Sequence, residues 1–302
     1  MAKKKFKLMK FMNPYTIVVF IFLVMYLLVL FSLLGWGFIK SLHQFDDFIL
    51  GGSKASSWPN VWTLDNYMKA FEYIKVPLAR KYGGGSVYFE EMLFNSLLYA
   101  AGCATVGTLT TCIVAYLTVK HRFAFNKVVV GIFYFVWLVP LVGSSAANIK
   151  LMTNLNLIHT WLGVFLMKAN YVTGMSFLIF RSVFSSLDDG YREAALIDGA
   201  SHFKIMVQIC LPLVKTTIIT MWMMDFIAAW NDYSTPMVYL QANPTAAYGL
   251  YVYNQNKSAG GQFAHVTFKV AGFMVLLTPI IVLFAIFKDK FMGNLLEGGL
   301  KG

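Results

Sequence analysis

The sequence predicts an all-α membrane protein that crosses the bilayer six times and keeps both termini in the cytoplasm. Three observations carry this. Hydrophobic residues make up 58% of the 302 residues and charged residues only 13%, against about 25% charge in an ordinary soluble domain. The apolar residues are gathered in long blocks, and a block of about 18 residues or more can span a bilayer. The cations gather at the ends of those blocks, on alternate loops.

Ile17 to Leu34, Leu93 to Val119, Val128 to Ile149 and Val270 to Phe287 carry no charge. Thr160 to Phe180 is broken by Lys168, and Thr216 to Asn231 by Asp225. In hydrocarbon an open-edged strand leaves its backbone unsatisfied, so the six spans are expected to be helices. The period-two alternation of a membrane barrel is absent.

The net charge of +11 could by itself point to nucleic acid, but its placement argues otherwise. Lys3, Lys4, Lys5, Lys7 and Lys10 precede the first span, and Lys120, Arg122 and Lys127 separate the second from the third. Arg181, Arg192, Lys204 and Lys215 separate the fourth from the fifth, and Lys288, Lys290 and Lys301 follow the sixth. All lie on one side of an even-numbered bundle, and the positive-inside rule makes that side the cytoplasm. Lys40, Lys54, Lys69, Lys75, Arg80 and Lys81 lie on the other side, in one long loop where the rule is weaker. The expected partner of the apolar surface is the lipid bilayer, with no nucleic acid. The basic start resembles a secretion signal. However, its apolar run is longer than a typical signal core and Gly35-Trp36-Gly37-Phe38 follows in place of a cleavage site, so a retained first helix is expected.

This gives one transmembrane domain over 1–302, with a cytoplasmic N-terminus (1–14), a long extracytoplasmic loop (38–92), a cytoplasmic loop (181–215) and a cytoplasmic tail (288–302). The 38–92 loop holds Gly51-Gly52-Ser53, Trp58-Pro59, Trp62 and Gly83-Gly84-Gly85. It is too long for a simple connector and is expected to fold over the outer face; a floppy insertion is the alternative for its glycine-rich parts. The second span is rich in small and hydroxyl residues, Ala100, Ala101, Gly102, Ala104, Gly107, Thr108, Thr110 and Thr111. These let helix backbones approach closely in lipid, so this span belongs inside the bundle.

The third span carries Pro140, which breaks the helix ladder unless neighbours or cavity water satisfy the freed carbonyl. The fourth is interrupted at Ala169-Asn170-Tyr171-Val172-Thr173-Gly174. Lys168 lies roughly 20 Å from the basic end at Arg181 at 1.5 Å per residue, so it either snorkels outward or lines a wet cavity. The fifth carries Asp225 and ends in Trp230-Asn231-Asp232-Tyr233. An intramembrane carboxylate should face protein or water, as a substrate contact or as a buried structural hydrogen bond. Cys103, Cys112 and Cys210 form no framework and read as small packing residues. The histidines have no ligand spacing, so no metal site is expected.

The loop between the fourth and fifth spans is the most informative stretch. It runs from Leu187 through Asp188-Asp189-Gly190-Tyr191-Arg192-Glu193-Ala194-Ala195 and Asp198-Gly199-Ala200 to Leu211-Pro212-Leu213. Asp188 or Asp189 can cap a helix start, and Glu193 then lies near the positive end of that helix. Ala194 and Ala195 favour helix with almost no bulk, and Gly199 can end it in a left-handed conformation. The result is a short, smooth helix without the basic face of a membrane-surface helix, which fits a protein docking site. Pro212 ends the loop before the next span.

Glu193-Ala194-Ala195, Asp198-Gly199-Ala200 and Leu211-Pro212-Leu213 resemble the EAA loop of binding-protein-dependent ABC import permeases. Thr63-Leu64-Asp65-Asn66-Tyr67, Asn95-Ser96-Leu97, Ala115-Tyr116, Leu155-Asn156-Leu157, Trp230-Asn231-Asp232-Tyr233 and the tail Gly298-Gly299-Leu300-Lys301-Gly302 are similar to the maltose-transporter type, its second (G-type) permease in particular. The resemblance covers nearly the whole chain in order. It departs before Glu193, where the family often has proline and this chain has Ser186-Leu187-Asp188. Lys168 and Asp225 are not part of the pattern.

The resemblance implies a type I ABC importer permease fold in a bacterial cytoplasmic (inner) membrane. It also implies that this chain translocates a sugar or oligosaccharide. The partners it implies are a second homologous permease, two ATPase subunits, an extracytoplasmic solute-binding protein and a carbohydrate substrate. By the same resemblance Glu193, Ala194, Ala195, Asp198, Gly199 and Ala200 couple to the ATPase, and Gly298, Gly299, Leu300, Lys301 and Gly302 extend between the ATPase subunits. Asn170, Tyr171, Asp225, Trp230 and Asn231 are candidates for the substrate path, with packing between helices as the alternative.

The chain has no phosphate-cradling Gly-x-x-x-x-Gly-Lys-Ser/Thr stretch. No cofactor of its own and no catalytic residue are therefore expected, ATP and Mg belonging to the partner ATPase. An importer of a polyol or glycerol phosphate is the alternative. An ion-coupled secondary transporter would need inverted repeats, and it leaves the EAA loop unexplained. A membrane enzyme would need a catalytic cluster, which Asp188-Asp189 alone does not provide.

Overall fold

The computed structural model describes residues 13–44, 58–121, 123, 126–138, 143–169, 174–255 and 266–299, with the side chains of Ser144 and of 289–299 left aside. These residues fold almost entirely as helices. The chain divides into two compact units, residues 1–70 with 257–275 and residues 71–256 with 276–302.

In the first unit, α1 (Pro14–Ser41) starts with Pro14 at its first turn, where a missing N–H costs nothing. The Asn13 carbonyl accepts from the amides of Thr16 (2.8 Å) and Ile17 (3.2 Å). From Tyr15 to Leu34 its large apolar side chains are exposed on every side, which is the composition of a helix in lipid. Its last turns are buried instead. Gly37 lies against Met274, where a Cβ would collide with the methionine tip. The Asn66 amide donates to the carbonyls of Ser41 and His43, both at 2.8 Å. Asn66 belongs to α2 (Asp65–Tyr73), a helix within the 38–92 stretch.

The second unit opens with a hairpin of β1 (Lys75–Pro77) and β2 (Ser86–Tyr88), antiparallel with Val76 opposite Val87. Gly83, Gly84 and Gly85 all take positive φ in the connecting turn, a conformation open to glycine at little cost. The hairpin leads into α3 (Phe89–Lys120), the central helix. Its small positions do what the composition predicts. Ala100, Cys103, Ala104, Gly107, Thr108, Thr111, Cys112 and Ala115 are buried or nearly so, and the ring of Phe165 occupies the place of a Cβ on Gly102.

After α3 come α4 (Asn126–Leu138), α5 (Ser144–Asn154), α6 (Trp161–Lys168), α7 (Met175–Ser186) and α8 (Gly190–Ile197). A second series follows: α9 (His202–Ile205), a π-helical turn (Met206–Cys210), α10 (Leu211–Leu213) and α11 (Lys215–Trp230). The chain ends with α12 (Ser234–Tyr239), α13 (Ala246–Gln255) and α14 (Val266–Gly299), whose first part belongs to the first unit.

Among the described residues three helices are by themselves long and apolar enough to cross a membrane: α1, α3 and the Val266–Lys288 part of α14. A fourth span is made if His202–Leu213 and α11 count as one, bent by 77°. The bend has a local cause. Pro212 has no N–H for the helix ladder and its ring crowds the preceding turn. The turn just before it is π-helical, a common accommodation of such a defect. The two other blocks expected to span are each divided into shorter helices that do not reach that length by themselves. The Val128–Ile149 block becomes α4 and α5, with Gly143 at φ 85° capping α5. The Thr160–Phe180 block becomes α6, ending at Lys168, and α7, starting at Met175. Pro140, Asn170 and Tyr171 lie outside the described residues.

Candidate functional site

The loop that the sequence singles out is built around α8. The Asp188 carboxylate accepts from the Gly190 amide at 2.9 Å, and the Asp189 carbonyl accepts from the amides of Arg192 and Glu193, both at 3.0 Å. Of the two aspartates expected to cap the helix start, Asp188 does so through its carboxylate on the first amide of α8, while the Asp189 side chain makes no cap bond. The Asp189 carboxylate is used elsewhere: it pairs with Lys120 at 2.7 Å. Lys120 is the last residue of α3, and its ammonium also donates to the Leu187 carbonyl at 2.8 Å.

At the other end the Ala200 amide donates to Ala195 O (2.9 Å) and the Gly199 amide to Leu196 O (3.0 Å), with Gly199 at φ 78°. This is a Schellman-type end, as the glycine predicts. Ser201 then caps α9 by accepting from the Lys204 amide at 3.3 Å.

Packing divides the faces of this loop. Ala195 and Ile205 are buried in the same apolar cluster as Tyr116 of α3, Phe133 of α4, Phe180 and Phe184 of α7, and Val214 and Met221 at the bend and in α11. α8 is therefore continuous with the core of the apolar helices. Interiors are close-packed and transmit strain. The opposite face is open: Ile197 is 87% and Phe203 72% exposed. Between them Ala195, Asp198, Gly199, Ala200, Lys204, Ile205, Gln208 and Ile209 line a cleft of about 240 Å³. Glu193 and Ala194 are exposed in the first half of α8. Beside the loop the rings of His121 and His202 meet edge to face at 5.1 Å. Burial, and then the charges of His202 and Arg192, hold the His121 pKa below its ordinary value.

A second constellation lies between α3, α6 and α11. Cys103, Gly107, Lys168, Asp225, Ala228, Ala229 and Asp232 enclose a cavity of about 150 Å³. Asp225 and Asp232 are seven residues apart, so they share one face of α11 and its C-terminal extension. The Thr108 hydroxyl donates to Asp225 Oδ2 at 2.8 Å. Asp232 Oδ2 accepts from the Tyr99 hydroxyl at 2.9 Å and lies 3.6 Å from Lys168 Nζ. Asp232 Oδ1 accepts from the Ser234 amide and hydroxyl and from the Thr235 amide.

Of the two readings of Lys168, the cavity is the one realised. For Asp225 the structural hydrogen bond is present, and the residue also lines the cavity. Trp230 is buried, its indole N–H donating to the Leu276 carbonyl at 3.0 Å, and so it packs between helices. The Asn231 amide folds back onto the Ile227 carbonyl at 2.9 Å. Neither lines the cavity. The sequence reading missed the roles of Tyr99, Cys103, Thr108 and Asp232 here. A signal was available, since Tyr99 and Thr108 are polar positions in an uncharged block. Gly298 and Gly299 end α14 as helix, while Leu300, Lys301 and Gly302 lie outside the described residues.

Apolar helices around a small-residue core, with the α8 loop rooted in that core, define a class: a membrane-embedded helical subunit. The comparisons give the family. Residues 107–293 match the binding-protein-dependent transport system inner membrane component, and the chain belongs to that family. It is 24% identical to the arabinooligosaccharides transport system permease protein AraQ of Bacillus subtilis over 92% of both chains. It is 25% identical to the sulfoquinovosyl glycerol transport system permease protein SmoH of Agrobacterium fabrum, over 82% of both chains. It is 29% identical to the sn-glycerol-3-phosphate transport system permease protein UgpE of Yersinia pestis, over 71% of this chain and 75% of that one.

Among solved structures, a bacterial ABC transporter involved in the import of the acidic polysaccharide alginate superposes with a TM-score of 0.73. The match covers 91% of this chain and 96% of that one at 18% identity, a likeness of fold. The chain is thus a permease subunit of an ABC transporter and not an enzyme; ATP hydrolysis belongs to a separate ATPase.

Proposed function

We propose that this chain is a membrane-spanning subunit of an ATP-driven importer of a sugar or oligosaccharide delivered by an extracytoplasmic solute-binding protein. In this reading it has six spans with cytoplasmic termini and pairs with a second, homologous permease. The exposed face of α8, with Glu193, Ala194, Asp198, Gly199 and Ala200, docks on a separate ATPase that holds ATP and Mg, and Gly298 to Gly302 reach toward the ATPase pair. One observation supports the docking reading above the others. α8 presents Ile197 almost fully to solvent while Ala195 on its other face is buried in the transmembrane core. Tyr191, Ile197 and Phe203 together leave several large apolar side chains of this loop exposed, more than the lone apolar residue any surface carries, which supports a contact surface, and a rooted helix can carry a partner's motion inward. A polyol or glycerol phosphate importer is the second reading, favoured by the likeness to the glycerol phosphate permease.

The test is cross-linking in membranes containing the whole complex. A cysteine at Ile197 (I197C) should form an adduct with the ATPase chain, and one at Leu162 (L162C), which is 59% exposed on α6, should not. No adduct from I197C, or equal adducts from both, would remove the docking assignment.

A further inference from the structure

The cavity between α3, α6 and α11 is not used by the docking argument, and Lys168 and Asp225 are not part of the pattern the family resemblance explains. We infer that this cavity is a subsite for the hydroxyl groups of an uncharged polyhydroxylated substrate, with the Asp225 carboxylate as the acceptor, and that it works against substrates carrying a phosphate, sulfonate or carboxylate. The inference rests on the importer reading and narrows its substrate class.

The charges on the cavity wall carry the argument. One ammonium, Lys168, faces two carboxylates, Asp225 and Asp232. Lys168 pairs with Asp232 at 3.6 Å. Asp232 is further held by Tyr99, Ser234 and Thr235, so its position is fixed by donors from α3 and from the start of α12. Lys168 also acts on Asp225, so the three charged groups together leave one net negative charge on the wall, and Thr108 contributes only a neutral hydroxyl to Asp225. A carboxylate accepts about four hydrogen bonds, so Asp225 has capacity beyond Thr108 for the paired hydroxyls of a sugar or polyol. An anionic group in the same place would meet a like charge in a poorly screened site.

The dimensions agree. Gly107, Ala228 and Ala229 keep the walls low where α3 and α11 face the cavity. About 150 Å³ is the space of roughly five waters at ~30 Å³ each, enough for part of a sugar ring. Lys168 and Asp232 keep 16% and 15% of their side-chain surface accessible, so polar solutes can reach the wall.

The experiment uses the complete complex, with its binding protein, in proteoliposomes. ATP-driven uptake is measured for a neutral panel (glycerol, raffinose, arabinotriose) and an anionic one (sn-glycerol 3-phosphate, trigalacturonate). The inference expects a neutral substrate. Asp225→Asn should raise its KM roughly ten- to a hundredfold, the size of a lost charge-assisted hydrogen bond, and Asp225→Glu should recover part of the loss. Ala228→Leu, which fills the cavity without touching a charge, should also raise KM, and it keeps the test valid if D225N fails to assemble. An anionic substrate, or wild-type KM in both D225N and A228L, would overturn the subsite. Absence of any ATP-driven uptake from either panel by the wild-type complex would overturn the importer reading itself, a distinct failure.

Discussion

Gly199 offers a prediction whose size follows from the backbone. It closes α8 at φ 78°, and no atom lies within 4 Å of where its Cβ would be. Alanine there meets no neighbour in this chain, so its cost is the left-handed backbone alone, about 1–2 kcal/mol. That is roughly a five- to thirtyfold loss in the population of the correctly ended helix. Asparagine tolerates the left-handed region better, and a β-branched residue tolerates it worst. If the helix end is what matters, ATP-driven uptake by the reconstituted complex should fall in the order Gly, Asn, Ala, Val, with membrane insertion unchanged throughout. If instead a partner's surface limits the space, Ala should outperform the larger Asn. Wild-type uptake by the Val variant would refute both, because neither the turn nor the contact would then matter.

Three further predictions concern the second unit. Lys120→Met removes the bridge from α3 to Leu187 and Asp189; with Asp189 half exposed, about 1–2 kcal/mol of loop anchoring should be lost. ATP hydrolysis should then persist with less uptake per ATP, and an unchanged ratio would contradict the tether. Gly163→Ala would drive a Cβ into the backbone carbonyl of Leu157 and should cost about 1–3 kcal/mol. Gly249→Ala, opposed by the flexible end of Met92, should cost less; equal thermal shifts in detergent would contradict this. The lowered pKa of His121 means the folded loop favours the neutral ring. Its contribution should be intact above about pH 6.5 and decline as pH falls from there toward the depressed value. His121→Gln should flatten that pH dependence of thermal stability, and an unaltered profile would count against it.

What the sequence made legible was local or periodic. The Ala194-Ala195 step, the Gly199 turn and the small-residue face of α3 depend on neighbours within a few residues, and each is found where the pattern puts it. The breaks are partly local too, since Gly143 and the Lys168–Gly174 stretch divide blocks whose apolar content alone reads as continuous. The cavity was not legible in the same way. Tyr99 reaches Asp232 across 133 positions and Thr108 reaches Asp225 across 117, and no spacing rule connects such pairs. Trp230 shows the converse: an indole beside an asparagine suggests a sugar platform, yet its face is decided by the groove against Leu276. The use of Asp189 as a tether rather than a helix cap also depends on a distant residue, Lys120.

The central claim is that α8 is the point through which a separate nucleotide-driven motor moves these helices. Its most direct test is solute uptake by proteoliposomes that contain the permease pair and binding protein, with the ATPase chains and ATP either supplied or withheld. Uptake is predicted only with both supplied, and accumulation against a gradient in vesicles lacking the ATPase would contradict the claim.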